Sequence, residues 1–291
     1  MSKILVFGHQ NPDTDAIGAA IAFSHLQNQL GKETEAVALG TPNEETQYAL
    51  DYFKLSAPRV VQSAKEEATQ VMLVDHNEFQ QSISDIAEVE ILAVVDHHRI
   101  ANFETANPLY YRAEPVGCTS TIILKLYKEN QVELPKEIAG IMLSAILSDT
   151  MIFKSPTTTQ LDIDVANKLA KIAEVDIDKY GYEMFKAGSS IKGMKPEEIL
   201  SQDMKNYNVD DVSLAISQIT TMDYEEIEKD LSKYVELLNN LEKQGFKIAV
   251  LFITDVIKNG SYVVYNDSAK EIIADSFNIS DIKQGIYLQD I

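Results

Sequence analysis

Histidine and aspartate side chains, which can bind metal ions or move protons, are concentrated in four short segments of the sequence. Residues 8–15 read GHQNPDTD, residues 75–78 read DHNE, residues 96–99 read DHHR and residues 148–150 read SDT. These segments hold four of the chain's five histidines. So many carboxylates and imidazoles repel or desolvate one another unless a cation lies between them. The set therefore favours a metal site, although one segment alone is more typical of a helix cap or a packed histidine.

The mixture of ligand types narrows the choice of metal. Carboxylates with one or two imidazoles and no thiolate suit Mn²⁺, Co²⁺ or Fe²⁺ better than a pure Mg²⁺ site. There are more ligands than one ion can take, so we expect two ions about 3.5–4 Å apart, bridged by a carboxylate and a water. Asp13 and Asp15, two residues apart in a tight turn, could face neighbouring ions.

The elements around these segments predict how they meet. Apolar runs at residues 4–7, 71–74 and 92–95 directly precede the first three segments, and a helical pattern at residues 138–147 precedes the fourth. Further strands are predicted at residues 35–39 and 109–112, and further helices near residues 14–30, 44–53, 119–129, 135–147 and 160–172. This alternation predicts an α/β fold, a doubly wound parallel sheet covered by helices on both faces. The carboxyl ends of its strands form one rim, where ligands bind.

A change of pattern predicts a second domain. Gly188, Ser189, Ser190 and Gly193 are typical of a flexible linker, so we expect domains at residues 1–187 and 196–291 joined by residues 188–195. The second domain is predicted to contain a strand at residues 212–219 and one long amphipathic helix at residues 227–241. Strands at residues 247–253 and 261–265, joined through Asn259-Gly260, and a helix near residues 268–274 follow. These elements indicate a smaller α/β domain with a mixed sheet.

Composition excludes several partners. The formal charge of −20 disfavours a protein that tracks nucleic acid phosphates, and an anionic substrate would need locally concentrated positive charge such as metal ions. No apolar run approaches the ~20 residues of a membrane span. A single cysteine, Cys118, fits a reducing compartment and a packed side chain better than a nucleophile. We therefore expect a cytoplasmic protein with neither a nucleic acid nor a membrane partner.

The motifs of residues 8–15, 74–77 and 95–98 resemble those of the DHH phosphoesterase superfamily. They are most similar to those of the family II (manganese-dependent) inorganic pyrophosphatases, and the resemblance extends over the linker and second domain. It implies an active site in the cleft between the domains, with two Mn²⁺ ions that Co²⁺ or Mg²⁺ could replace, and Mg²⁺ could also accompany the substrate. It assigns the metal ligands as His9 and Asp13 for one ion, Asp15, His97 and Asp149 for the other, and Asp75 as the bridge.

The resemblance also implies roles beyond the metal ligands. His98 corresponds to a positively charged histidine that binds substrate, Asp96 to a residue that orients a neighbouring imidazole, and His76 and Asn77 to supporting residues near the site. Lys205 corresponds to a substrate-binding lysine of the second domain, which would close over pyrophosphate. Two dications lower the pKa of a shared water from about 15.7 towards ~7, giving a hydroxide that attacks phosphorus in line. A homodimer through the N-terminal domain is expected on the same grounds.

The end of the sequence departs from the family pattern. Family members end in a basic Ser-Arg-Lys motif, whereas this sequence ends GIYLQDI. We therefore expect either a truncated form of reduced activity or an enzyme that works without those cations. The predicted metal ligands all precede the linker, so metal binding should be unaffected.

Three other functions stay open on the sequence. A DHH phosphodiesterase or nuclease is disfavoured because those relatives carry a Gly-Gly-Gly-His-type stretch, and all twelve glycines here are isolated. An exopolyphosphatase differs mainly in how much phosphate chain its cleft admits. A metal-dependent sensor without catalysis would have lost its phosphate-binding cations but kept its metal ligands.

Overall fold

The computed structural model describes residues 3–209, 212–222, 224–255 and 258–289. Contacts between Cα atoms divide the chain into two units, Met1–Gly188 and Ser189–Ile291. Asp290 and Ile291, the last two residues of the chain end discussed above, lie outside the described residues.

The first unit is built on a parallel sheet, as the sequence predicts. Its strands are β1 Ile4–Phe7, β2 Thr34–Ala38, β3 Arg59–Val60, β4 Gln70–Val74, β5 Glu90–Asp96 and β6 Tyr110–Ala113. Its helices are α1 Thr14–Gln29, α2 Glu44–Tyr52, α3 Thr119–Glu129, α4 Lys136–Asp149, α5 Gln160–Ala173 and α6 Ile177–Gly188. The strand order is β3-β2-β1-β4-β5-β6, and every pair is parallel. The order reverses between β1 and β4, which leaves a crevice beyond their carboxyl ends.

Alternating side chains of the central strands enter two separate cores. Val6 of β1 packs with residues of the α-helices on one face, and Leu5 and Phe7 pack into the opposite layer. The sequence predicted helices on both faces of the sheet, whereas this second layer draws on loops and on the short 3₁₀-helices Phe79–Gln81 and Ile86–Glu88. Both faces of the strands are buried, which explains why they are continuous apolar runs.

The second unit has a five-stranded mixed sheet. Its elements are α7 Pro196–Ser201, β7 Met204–Val209, β8 Val212–Thr220, α8 Tyr224–Lys229, α9 Leu231–Lys243, β9 Ile248–Asp255, β10 Gly260–Tyr265, α10 Lys270–Ser276 and β11 Ile286–Gln289. The order is β11-β10-β9-β8-β7, with β8 and β9 parallel and the other neighbours antiparallel. This confirms the predicted mixed sheet.

Two features of the second unit differ from the prediction. The long amphipathic helix is two helices, α8 and α9, because the Asp230 amide bonds to the Ile227 carbonyl and closes a tighter turn there. The edge strands β7 and β11 were not predicted, since β7 is largely exposed and carries no apolar alternation. Among the described helices, none is both long enough and apolar enough to cross a bilayer.

Candidate metal centre

The crevice at the carboxyl ends of β1 and β4 gathers the predicted metal ligands. His9 follows β1 by two residues, and Asp13 caps α1, its Oδ1 accepting a hydrogen bond from the Ala16 amide at 2.9 Å. Gly8 is required between β1 and His9, because a Cβ there would lie 2.6 Å from the Cβ of Ala16. Asp75 follows β4 directly with φ 57°, a left-handed conformation that aspartate tolerates better than most residues.

Asp75 lies at the centre of the cluster and is buried. Its Oδ2 lies 3.5 Å from Nε2 of His9, and its Oδ1 lies 3.3 Å from Nε2 of His97. The Thr119 hydroxyl also donates to Oδ1, at 3.1 Å. Burial acts to raise the pKa of Asp75, but the hydrogen bonds to the two imidazoles outweigh it and hold that pKa below its ordinary value. The two oxygens of one carboxylate thus face two different histidines.

Backbone carbonyls fix the orientation of both imidazoles. Nδ1 of His9 donates to the Gln10 carbonyl at 2.8 Å, and Nδ1 of His97 donates to the Val116 carbonyl at 3.0 Å. In each ring Nε2 is therefore the nitrogen turned towards the carboxylates, as is usual for a metal-binding histidine. Burial lowers the pKa of His9, but hydrogen bonds to Asp13 and Asp75 raise it overall to about 11. Burial also lowers the pKa of His97, but the hydrogen bond to Asp75 outweighs it and raises that pKa to about 9.

Two further aspartates complete the cluster in contrasting environments. Asp15 accepts hydrogen bonds from the Thr119 amide at 2.7 Å, the Ser120 amide at 3.2 Å and the Ser120 hydroxyl at 2.7 Å, at the start of α3. Asp149 ends α4, and its buried Oδ2 has no hydrogen-bond partner among the described residues. Burial, followed by the charge of Asp75, raises the pKa of Asp15 to about 7. Burial and the charges of Asp15 and Asp75 raise the pKa of Asp149 as well.

The donor set fits divalent cations. Three groups of residues place one potential ligand atom each within 4.8 Å of one another: His9, Asp13 and Asp75; Asp15, His97 and Asp149; and Asp75, His97 and His98. A cation would supply the partner that Asp149 Oδ2 lacks and would offset the repulsion that raises the carboxyl pKa values.

His98 stands beside this cluster with a partner of its own. Its Nδ1 donates to Oδ1 of Asp96 at 2.9 Å and lies 3.8 Å from Oδ1 of Asp75. The hydrogen bond to Asp96 is the main cause of the raised pKa of His98. Asn77 donates to the other oxygen of Asp96 at 2.6 Å, which fixes that carboxylate. A cavity of about 350 Å³ adjoins the cluster and is lined by Asp13, Asp75, His97, His98, Val116, Gly117, Asp149 and Thr157.

The remaining predicted residues lie in different surroundings. Both ring nitrogens of His76 are bonded within the fold, to the Val74 carbonyl and the Ser82 hydroxyl, so this histidine supports the loop. Lys205 belongs to β7 of the second unit and forms an exposed ion pair with Asp203, 3.2 Å apart. The structure therefore brings together the six predicted metal ligands and His98, and it leaves the role of Lys205 a prediction.

Sequence reasoning missed several residues that hold this cluster. Thr119 and Ser120 bind Asp15 across more than a hundred positions of sequence, and only their place at a helix start could have indicated them. Glu45 accepts hydrogen bonds from the hydroxyls of Thr14 at 2.9 Å and Ser148 at 2.5 Å, and so links the segments that carry Asp15 and Asp149.

The segment after Asp149 is strained. Residues 151–153 all have positive φ, at 49°, 50° and 65°, although none is glycine. Left-handed backbone costs about 1–2 kcal/mol per such residue. The β-branched Ile152 is the most unfavourable of them. Such a turn persists only where surrounding contacts over-determine it, and it is typical of functional sites.

Comparisons with known proteins identify the family. A model of the DHH family N-terminal domain matches residues 3–146, and a model of the DHHA2 domain matches residues 182–291. The manganese-dependent inorganic pyrophosphatase of Bacillus subtilis is 50% identical over 283 residues, which cover 96% of this chain and 91% of that protein. The chain belongs to the manganese-dependent inorganic pyrophosphatase family. An Enterococcus faecalis protein assigned to this family is 55% identical over 295 residues, covering 100% of this chain and 95% of its own.

Solved structures agree with this family assignment. A Methanococcus jannaschii chain assigned to the family II inorganic pyrophosphatases is 36% identical, with a TM-score of 0.64, and the match covers 98% of this chain and 94% of that one. An exopolyphosphatase-related protein of Bacteroides fragilis shares the fold at 16% identity, with a TM-score of 0.55 and coverage of 95% and 84%. The sequence-based resemblance to the family is therefore confirmed.

Cation binding at this centre should release protons. At pH 7 the imidazoles of His9 and His97, whose pKa values are about 11 and about 9, are protonated, whereas metal ligation requires them neutral. We expect titration with Mn²⁺ at pH 7 to release at least about two protons, two from these rings and a further contribution from the carboxyls of Asp15 and Asp149, whose pKa values are raised. As the pH rises through 9, His97 loses its proton beforehand, so fewer protons are released and Mn²⁺ affinity increases.

Calorimetric titration in buffers of different ionisation enthalpy measures this proton count. His97→Gln should lower the count by about one, because it removes one titrating ring. His25→Gln is the matched control, since His25 bonds to the Tyr127 hydroxyl at 2.7 Å and belongs to none of the three ligand groups. A heat that does not depend on the buffer would contradict the prediction.

Proposed function

We propose that this chain hydrolyses inorganic pyrophosphate to two phosphates, with two divalent cations at the cluster around Asp75. Family membership supports the reaction, and the name of the Bacillus subtilis relative supports manganese as the working metal. Co²⁺ and Mg²⁺ are proposed as substitutes on the resemblance described above. One observation carries the proposal: the two oxygens of Asp75 face the Nε2 atoms of two separate histidines, at 3.5 and 3.3 Å. That is the arrangement expected of a carboxylate shared by two ions.

The ligands divide into two sets around Asp75. His9 and Asp13 would hold the first ion, and Asp15, His97 and Asp149 the second. The grouping of potential ligand atoms supports this division, as does Oδ2 of Asp149, which has no hydrogen-bond partner among the described residues and lies 4.0 Å from Nε2 of His97. Both histidines are held by their Nδ1 hydrogen bonds, so their Nε2 atoms are positioned before an ion arrives.

The chemistry combines the ions with charges of the chain. Two bound dications would lower the pKa of a coordinated water towards about 7 and neutralise phosphate oxygens. The hydrogen bond to Asp96 raises the pKa of His98 and so favours its protonated form, which would place a positive charge at the wall of the cavity. That charge can stabilise a phosphate group as negative charge moves to the leaving oxygen. The cavity of about 350 Å³ suits a small anion.

Removal of the shared carboxylate tests this proposal. Asp75→Asn should lower the rate of phosphate release from pyrophosphate with Mn²⁺ at least about 100-fold, because loss of an outer partner alone commonly costs 10–100-fold. Asp85→Asn is the matched control, since Asp85 accepts hydrogen bonds from Ser63 and Ala64, outside the cluster. Equal activity of Asp75→Asn and wild type would contradict the proposed centre. Faster cleavage of tripolyphosphate or a dinucleotide than of pyrophosphate would instead indicate an exopolyphosphatase or phosphodiesterase.

The second unit is proposed to supply further cations by closing over the substrate. Lys205 is the candidate on the family pattern, and its exposed ammonium group supports the role. Its ion pair with Asp203 is a weak surface interaction that a phosphate group could replace. Basic residues of a Ser-Arg-Lys motif would add to the same effect.

Lys205→Ala should raise the KM for pyrophosphate and lower kcat without changing Mn²⁺ affinity, because it removes a phosphate contact and no metal ligand. Lys233→Ala is a closely matched control: the side chains of Lys205 and Lys233 are 64% and 60% exposed, and each pairs with a nearby aspartate.

Addition of Ser-Arg-Lys after Ile291 should raise turnover for the same electrostatic reason. Steady-state kinetics with Mn²⁺ measure both changes, and unchanged kinetics in both variants would exclude the cation requirement.

A homodimer through the first unit, in the cytoplasm, completes the proposal. The edge strand β6 supports the dimer, because an outer strand offers unpaired backbone groups to a second copy. Tyr110 on this strand is 46% exposed and lines an apolar cavity of about 410 Å³ with Leu30 and Leu126. The location is supported by the single buried free thiol of Cys118, and fractionation of cells expressing the chain would test it.

Sedimentation velocity should therefore give twice the chain mass of 32.5 kDa. Tyr110→Asp should shift the equilibrium to monomer, because it places a charge at the apolar edge. Tyr207→Asp, at an equally exposed tyrosine of the second unit, should not. A monomeric wild type at micromolar concentration would overturn the dimer proposal.

A further inference from the structure

Asp162 is a fully buried carboxylate outside the three ligand groups. It lies in the first turn of α5 and takes part in the capping box with Thr159. Its Oδ2 accepts hydrogen bonds from the Thr159 amide at 2.8 Å and the Thr159 hydroxyl at 2.6 Å. A capping role alone would account for these two bonds.

Two further hydrogen bonds leave the helix and reach a distant segment. Oδ2 also accepts the Gly117 amide at 2.9 Å, and Oδ1 accepts the Thr121 hydroxyl at 2.7 Å. Gly117 has no room for a side chain, because a Cβ there would lie 2.9 Å from Asp162 Oδ2. The carboxylate therefore fixes residues 117 and 121 in direct contact with α5.

The segment it fixes orients two of the proposed metal ligands. The Val116 carbonyl, one residue before Gly117, holds Nδ1 of His97. The amides of Thr119 and Ser120, between the two bonded positions, hold the carboxylate of Asp15.

The hydrogen bonds that Asp162 accepts from Thr159 support the segment that follows Asp149, the third ligand proposed for this ion. Thr159 ends the segment that begins after Asp149 and contains the left-handed turn at residues 151–153. Within this segment the Ser155 amide bonds back to the Thr150 carbonyl at 2.8 Å. The bonds to Thr159 anchor the far end of a strained connection, which is the kind of support such a turn requires.

We infer that Asp162 is the positioning residue for one ion of the pair, through its hydrogen bonds to Gly117, Thr121 and Thr159. The ligands it supports, Asp15, His97 and Asp149, are those proposed for the second ion. The hydrogen bonds that Asp162 accepts from Gly117, Thr121 and Thr159 reach neither His9 nor Asp13, which are proposed for the first ion. The inference rests on the proposed two-ion centre and adds an unequal dependence of its two sites on one buried carboxylate.

Asp162→Asn tests this inequality, because the amide places a donor where Asp162 accepts only. Free Mn²⁺, measured by electron paramagnetic resonance during titration of the full chain, should reveal two tight sites in wild type. In Asp162→Asn one site should remain tight and the other should weaken about 10–100-fold, the usual effect of losing an outer partner of metal ligands. The signal of a coupled Mn²⁺ pair should be lost from the singly loaded variant.

Asp85→Asn separates this effect from a general loss of stability. Asp85 likewise accepts hydrogen bonds from a hydroxyl and two amides, those of Ser63, Ala64 and Lys65, and it belongs to none of the ligand groups. It should lower the urea midpoint while both sites stay tight. Asp162→Asn with two unchanged sites would overturn the inference.

Thr121→Val keeps the inference testable if Asp162→Asn does not fold, because it removes one hydroxyl from the network and keeps the side-chain shape. It should weaken the same single site, and two unchanged sites in this folded variant would also overturn the inference. A wild type that binds no Mn²⁺ pair would instead contradict the proposed function itself.

Discussion

The electrostatic cost of burying several carboxylates together is the constraint on which the rest of the first unit depends. Asp15, Asp75 and Asp149 are brought close enough that burial and mutual repulsion raise two of their three pKa values. The pKa of Asp75 is not raised, because His9 and His97 lie against its two oxygens. Without a cation the cluster is held by these imidazolium groups, and a cation replaces their protons. The buried carboxylates therefore need positive charge beside them, from imidazolium groups or from bound cations.

Asp15 and Asp149 lie at opposite kinds of helix end, and their carboxylates are stabilised to different degrees. Asp15 faces the start of α3, where free amides and the helix dipole favour a negative charge. Asp149 ends α4, where the dipole opposes its charge, and its Oδ2 receives no hydrogen bond. One carboxylate is thus satisfied by the fold, and the other is left for a ligand. If both bind the same ion, Asp15 would give that ion a fixed position, and Asp149 would gain the most free energy from the bound charge.

The sequence could predict this centre because its residues follow regular elements. Leu5, Val6 and Phe7 are buried on both faces of the sheet, so their strand is an unbroken apolar run, and His9 lies just beyond it. The residues that support the metal ligands do not follow regular elements in this way. Asp162 bonds to Gly117 across 45 positions, and no period or turn signal marks that contact. The break between α8 and α9 was missed because one amide bond at Asp230 decides it, not the apolar pattern.

Charge balance explains why a protein of net charge −20 can be proposed to act on an anion. Asp13, Asp15, Asp75 and Asp149 carry four negative charges when ionised, which equals the charge of two dications. With neutral imidazoles as ligands, the loaded centre itself would be close to neutral. It could then orient and polarise pyrophosphate without supplying much net attraction. Affinity for the substrate would depend on cations outside the ligand set, and His98, which Asp96 holds in place, is a candidate in the first unit.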